Sequence, residues 1–303
     1  GRRNNTGVAV IANNRDTVAK DVTVNVDGYV PEGATLDDGL APGTSLTVGS
    51  ARTMTFNVSG MGARVWVSRP GLDMTRTSAP TNLTATEGSG SVTLNWSAPT
   101  DAVVAGYDVY RSVVDGGYEK ISSALVLGVT YTDDTVHNGL QYYYTVKAVT
   151  PAGLKSQASA SASAIPHYNI GWANLQWPPE LTHVISFNTH TDMVYGQVWI
   201  DGVTGQAGAT PSLMAEVGYG PMGSNPTSGW SWFPMTFNTD AGNNDEFKGD
   251  MLPHPIGDYD YAVRYTTTNG RDWLYADLDG TGNGYDPAQA GRLHVVTSGD
   301  TTP

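Results

Sequence analysis

The sequence predicts an all-β chain of three consecutive β-sandwich domains. Apolar and polar residues alternate with period two over 22–26, 92–96 and 142–146, which sends successive side chains to opposite faces of a strand. Such runs are bounded by Gly, Pro, Asn or Asp, the residues that turns require. Long stretches with helical period are missing, and 303 residues suffice for two or three domains.

The first domain is expected over 1–69. Residues 8–12 run into Asn13-Asn14, and 22–26, 53–58 and 64–67 read as further strands, enough for a short antiparallel sandwich. The opening Gly1-Arg2, the strand end at Asn13-Asn14 and the closing run Gly62-Ala63-Arg64-Val65-Trp66-Val67-Ser68 resemble the C-terminal β-domain of α-amylase-type glycoside hydrolases, which follows their catalytic barrel. The resemblance implies a shield for one side of that barrel. The barrel itself is expected outside these residues, as a partner domain of the same polypeptide, and an exposed apolar face would mark where it docked.

Residues 70–77 are a Pro/Gly/Thr-rich connector to a second domain over 78–165. Here Pro80-x-x-Leu83, Trp96, Tyr107-x-Val109-Tyr110 and Gly139-x-x-Tyr142-x-Tyr144-x-Val146-x-Ala148 resemble a fibronectin type III domain. The physics is consistent with this. Trp96 fills the space between two sheets, and Tyr142, Tyr144, Val146 and Ala148 share one strand face. The resemblance implies that Tyr142 bonds back to backbone. These aromatics read as core, so the implied role is a spacer.

The Ser/Ala-rich 156–164 leads to a third domain over 167–298. It holds six of the eight tryptophans, and 167–303 carry 15 Asp/Glu against 4 Lys/Arg. The strings Ile170-Gly171-Trp172-Ala173-Asn174-Leu175-Gln176-Trp177-Pro178-Pro179, Val194-Tyr195-Gly196-Gln197-Val198-Trp199-Ile200-Asp201-Gly202 and 265–277 resemble a β-sandwich module appended to bacterial amylases and amylopullulanases. For such enzyme-linked copies, starch binding is the implied role.

Net charge −13 argues against nucleic acid and anionic membrane as partners, because both need clustered Lys and Arg, whereas a neutral polysaccharide meets no such objection. No cysteine is present, so disulfides and thiolate metal sites are excluded. No signal peptide and no long apolar run are seen, so membrane insertion is not expected, and an extracellular location follows only from the resemblance.

Sugar recognition needs flat apolar faces for C–H surfaces and amides or carboxylates for hydroxyls. Gly229-Trp230-Ser231-Trp232-Phe233-Pro234 is the first candidate, since Trp230 and Trp232 share a face if extended. Residues 218–229 before them read as a loop that would leave the indoles open; the same spacing also suits a core strand. Trp172 and Trp177, five apart, form a second candidate pair expected on opposite faces, one in the core and one exposed. Trp199 and Trp273 read as core, the latter after the hairpin signal Asn269-Gly270.

Two acidic loops, 240–246 and 277–283, place oxygen ligands at the close spacing of a calcium site, with Asp277, Asp279 and Asn283 as candidate ligands; solvated turns are the competing reading. His183 and His190 are expected to face opposite ways on one strand, and no paired-carboxylate, serine-nucleophile or phosphate-loop motif is found. The expected function is that of a non-catalytic tail, its third domain holding α-glucan such as starch, pullulan or maltooligosaccharides for an attached hydrolase. A structural spacer that binds no glycan is the alternative.

Overall fold

The computed structural model describes residues 2–4, 7–71, 74–281 and 284–299. They form 23 strands and one short 3-10 turn, Pro287–Gln289. The chain folds as two compact units, 1–86 with 93–133 and 142–164, and 87–92 with 134–141 and 165–303.

In the first unit, β1 (Arg2–Asn4), β2 (Gly7–Asn13), β3 (Lys20–Asn25), β4 (Thr35–Asp38), β5 (Ser45–Thr47), β6 (Thr53–Val58) and β7 (Ala63–Ser68) make two sheets, β1-β2-β7-β4-β5 and β3-β6. The four strands read from alternation are present, and β1, β4 and β5 are added to them. Three, four and three residues long, they are too short to show a period. Val8, Val10, Leu36, Met54, Phe56, Val58 and Trp66 fill the space between the sheets, with Phe56 and Trp66 rings 5.3 Å apart. On the opposite side of β2 and β7, Ile11 and Val67 lie open to solvent.

Next come β8 (Thr81–Gly88), β9 (Ser91–Ser97), β10 (Gly106–Ser112), β11 (Glu119–Lys120), β12 (Thr130–Asp133), β13 (Tyr142–Val149) and β14 (Ala162–Ala164), in sheets β11-β10-β13-β14 and β12-β9-β8. Trp96 is buried between these sheets, edge-on to Tyr107 at 5.2 Å. Tyr142, Tyr144, Val146 and Ala148 are all buried, as period two requires, and the Tyr144 hydroxyl donates to Asp133 (3.1 Å). Leu154, from the turn after β13, joins the core of the preceding sandwich beside Val30 and Met74. Lys155 anchors the same junction, bridging Asp27 and the buried Asp108, which also holds Lys120 (2.6 Å).

The second unit contains β15 (Trp172–Trp177), β16 (Glu180–Val184), β17 (Val194–Trp199), β18 (Met214–Pro221), β19 (Ser231–Ala241), β20 (Asn244–Gly249), β21 (Gly257–Thr266), β22 (Leu274–Ala276) and β23 (Gly291–Val296). They pair in the order β15-β17-β20-β19-β18-β21-β23-β16, with β22 on β21. β19 carries the chain from one layer to the other. Its residues 231–235 pair with β18 and 236–241 with β20, so one long sheet folds onto itself as a sandwich. Leu175, Val194, Val198 and Phe247 from one layer meet Val217, Val263, Tyr265 and Leu293 from the other. Gly196 is required at the crossing: a Cβ there would lie 2.4 Å from the Tyr265 hydroxyl and 2.9 Å from the Asn174 carbonyl oxygen.

Also in this unit, Arg271 donates to both oxygens of Glu87 (2.7 and 2.8 Å), and Ile165 N–H donates to the same carboxylate. Arg271 above all, and then that N–H, hold the Glu87 carboxyl down to about 2 against the cost of burial. A depressed carboxyl pKa adds stability that is present above the unfolded value of 4.5 and lost as pH falls through about 2. With Arg271 41 % exposed, solvent screening reduces the contribution to about 1–2 kcal/mol. Glu87→Gln should remove that much at pH 7 and flatten the loss of stability between pH 4.5 and 2, as read by urea unfolding across pH.

Candidate functional site

The two layers of the last sandwich each leave an outer face, and the aromatic side chains divide between them. On β18, β19 and β21 the core takes Val217, Phe233, Met235, Val263 and Tyr265, so Glu216, Gly218, Trp232 and Arg264 turn outward by alternation. Residues 218–221, expected in a loop, are strand. Their glycines serve the indoles above them. A Cβ on Gly218 would meet Trp232 at 2.4 Å, and one on Gly220 would meet Trp230 at 2.3 Å.

Trp230 and Trp232 share the outer face, as their spacing predicts, and stack 5.5 Å apart at 19°. Their faces are not free. The Arg264 guanidinium lies 4.2 Å from the Trp232 ring centre and 4.1 Å from that of Trp273, and Tyr285 stands edge-on to Trp230 at 5.7 Å. Glu216 accepts two hydrogen bonds from Arg264, and Ser224 accepts one from Trp230 Nε1 (2.8 Å). The result is a ladder, Tyr285, Trp230, Trp232, Arg264, Trp273, in which the Trp232 π-face is spent on neighbours. Trp273, expected in the core, is half-buried in this ladder, beside the strand β22 whose Tyr275 pairs with Arg264.

Trp172 and Trp177 were expected on opposite faces, and this is corrected by a β-bulge between Leu175 and Trp177. Trp172 pairs with Trp199 and Trp177 with Tyr195; those partners are four apart on β17, so both tryptophans share the outer face and neither is core. Trp177 is 59 % exposed, and the other seven tryptophans are buried or half-buried. Trp199, expected in the core, is half-buried on this face, its ring over Gly171, where a Cβ would come within 2.5 Å. Val194 and Val198 take the inward positions of that strand instead, and Ile200 just after it is also buried.

Between the aromatic rows lies a polar one. Asn174, Gln197 and Glu246 are register partners across β15, β17 and β20. Glu246 accepts from Asn238 (2.6 Å) and Gln197 (3.4 Å), Gln197 accepts from Asn244 (3.0 Å), and the Asn174 side chain accepts from Gln197 N–H (3.2 Å). Asn174, Asn238 and Asn244 thus have one end of the amide fixed and Gln197 both, while the remaining donors and acceptors belong to a half-buried surface. Tyr195 and Trp199 lie about 13 Å apart along their strand, on either side of Gln197. None of Tyr195, Asn174, Gln197, Asn238, Asn244 or Glu246 is marked as a sugar contact in the sequence, where Asn244 and Glu246 read as part of an acidic loop; only strand register collects the six.

The acidic loops do not converge. Asp277 is buried and accepts from Asp279 N–H (3.1 Å) and Asp286 N–H (2.7 Å), and burial pushes its carboxyl up. Asp279 accepts from Thr281 N–H (2.7 Å) and the Thr281 hydroxyl, and the N–H bond above all holds its carboxyl low. Asn283 lies outside the described residues. In the other loop Asp240 accepts from Gly208 N–H, Asp245 from Thr210 N–H, and Glu246 belongs to the amide row. Among the described residues no group of three His, Asp or Glu is placed to hold a metal. The carbonyl of Gly280 accepts from Trp172 Nε1, and the loop forms one wall of a 120 Å³ cleft that Trp172 and Tyr275 line. His190 lies outside β16, in the loop after it, where it pairs with Asp250; it and His254 lower the pKa of the buried His183, though less than burial does.

Residues 78–165 match the family described as Fibronectin type III domain. Over 283 residues the chain is 31 % identical to an amylopullulanase of Thermoanaerobacterium thermosulfurigenes, covering 88 % of this chain and 15 % of that enzyme. An amylopullulanase of Thermoanaerobacter thermohydrosulfuricus is 33 % identical over 286 residues, 88 % of this chain and 19 % of the enzyme. Chitinase A1 of Niallia circulans is 34 % identical over 180 residues, 54 % of this chain and 25 % of its own. Among solved structures, an Fn3-like protein from Clostridium thermocellum shares 31 % identity over 31 % of this chain and 99 % of its own, with a TM-score of 0.27. The chain spans under a quarter of the length of these amylopullulanases and resembles a non-catalytic region of them, all-β throughout the described residues. No helix among those residues is long and apolar enough to cross a membrane.

Proposed function

We propose that this chain is the accessory tail of a secreted, extracellular starch- or pullulan-degrading hydrolase and that its last sandwich holds α-glucan on the outer face of β15, β17 and β20. The observation that carries this reading is the exposed Trp177 beside Tyr195, with Trp172 and Trp199 at the far end and the amide and carboxylate row between. The indole and phenol surfaces take the C–H faces of glucose rings; Asn174, Gln197 and Glu246 take hydroxyls. Such exchange of water for protein gives little per hydrogen bond, so one site is weak, and its use lies in raising the concentration of substrate near a linked catalytic domain. The fibronectin-type domain, with Trp96, Tyr107, Tyr142 and Tyr144 buried, serves as the spacer. The open Ile11 and Val67 on the first sandwich give an apolar patch for docking that catalytic domain.

The test is depletion of the purified chain by insoluble starch, with cellulose as control and β-cyclodextrin as competitor. Loss to starch that cyclodextrin reverses is expected. A chain that stays in solution at high starch, or sticks equally to cellulose, would leave the spacer reading in its place.

A further inference from the structure

We propose that a second, unrelated site lies in the first unit: a 340 Å³ recess between the turn after β3 and strand β13 that binds a small oxyanion, carboxylate or phosphate, through Arg76 and Lys147. The chain carries 29 acidic against 16 basic residues, yet this recess is lined by Arg76, Lys147 and Lys155 with one carboxylate, Asp27. Lys155 is already neutralised by Asp27 and Asp108. Arg76 and Lys147 have no carboxylate partner among the described residues, so two positive charges are in surplus.

Both cations are held in place without being discharged. Arg76 lies 4.9 Å over the Tyr29 ring and donates to the Gly28 carbonyl (3.2 Å), while Lys147 lies 4.9 Å over the Tyr110 ring. A π-face fixes a cation but leaves its N–H donors available. The Arg76 Nε is buried and has no acceptor among the described residues, a position normally filled by a partner. Burial also lowers the Arg76 pKa, and an incoming anion would offset that cost. The wall itself is closely packed. Gly28 (φ +71°) pairs with Leu154, and the Lys155 stem packs where a Cβ on Gly28 would sit, within 2.6 Å.

Isothermal titration of the full chain with glucuronate, with inorganic phosphate and with neutral glucose tests the site. Millimolar binding of glucuronate, phosphate or both is expected, and which of them binds identifies the anion. That binding should weaken about tenfold in Arg76→Gln/Lys147→Gln at unchanged melting temperature, and also as salt is raised. Glucose binding that the two substitutions also weaken, anion binding unaffected by them, or no anion binding at roughly 50 mM would overturn it. Starch retention should not change in this variant, because β15, β17 and β20 lie in the other unit.

Discussion

Trp177→Ala with Tyr195→Ala is expected to cut starch retention at least about tenfold while the melting temperature moves little. Trp177 is 59 % exposed and Tyr195 half-buried, so neither closes the core, which lies on the other side of β15 and β17. Each removes an aromatic surface worth about 1 kcal/mol against a sugar ring, and two such losses compound. Gln197→Ala should add to the defect, since it strips the Glu246 and Asn244 side chains of a partner and the sugar of a donor. Retention is read by depletion on starch granules and folding by thermal denaturation. Full retention by the folded Trp177/Tyr195 variant would move the site elsewhere, with the Trp172 cleft as the next surface to map.

The strands were legible where they are long enough to show alternation, and the glycine content of 218–229 misled because glycine has two uses. In turns it supplies a positive φ; at Gly218 and Gly220 it clears room for an indole on a flat strand. The Trp230 and Trp232 spacing placed both on one face correctly, yet spacing says nothing about what lies on that face. Arg264, which covers Trp232, comes from β21, brought there through the pairing of Glu216 with Arg264. The expectation that Trp172 and Trp177 face opposite ways failed for a related reason. One bulged residue inverts the parity on which a period-two reading rests, and a bulge leaves no mark in a single sequence. The amide row was invisible because its members come from four strands.

Arg264→Ala is expected to destabilise the last sandwich by about 3 kcal/mol, lowering its melting temperature by about 8 °C, and to leave starch retention intact below the new transition. The guanidinium is the rung that joins Trp232 to Trp273 and also the partner of Glu216, whose side chain is 22 % exposed. Its removal leaves that carboxylate without its cation and opens a gap between two indoles. Arg264→Lys should recover part of the loss, because an ammonium keeps the charge but not the planar stacking on both rings. Gly218→Ala should act through the same ladder, since its Cβ would stand 2.4 Å from Trp232 and 2.7 Å from the Ser231 carbonyl oxygen. Tryptophan emission reports the displaced rings as a red shift in the folded state. If Arg264→Ala left stability unchanged while abolishing retention, the ladder would be a binding surface, and the division of labour between the two outer faces would be reversed.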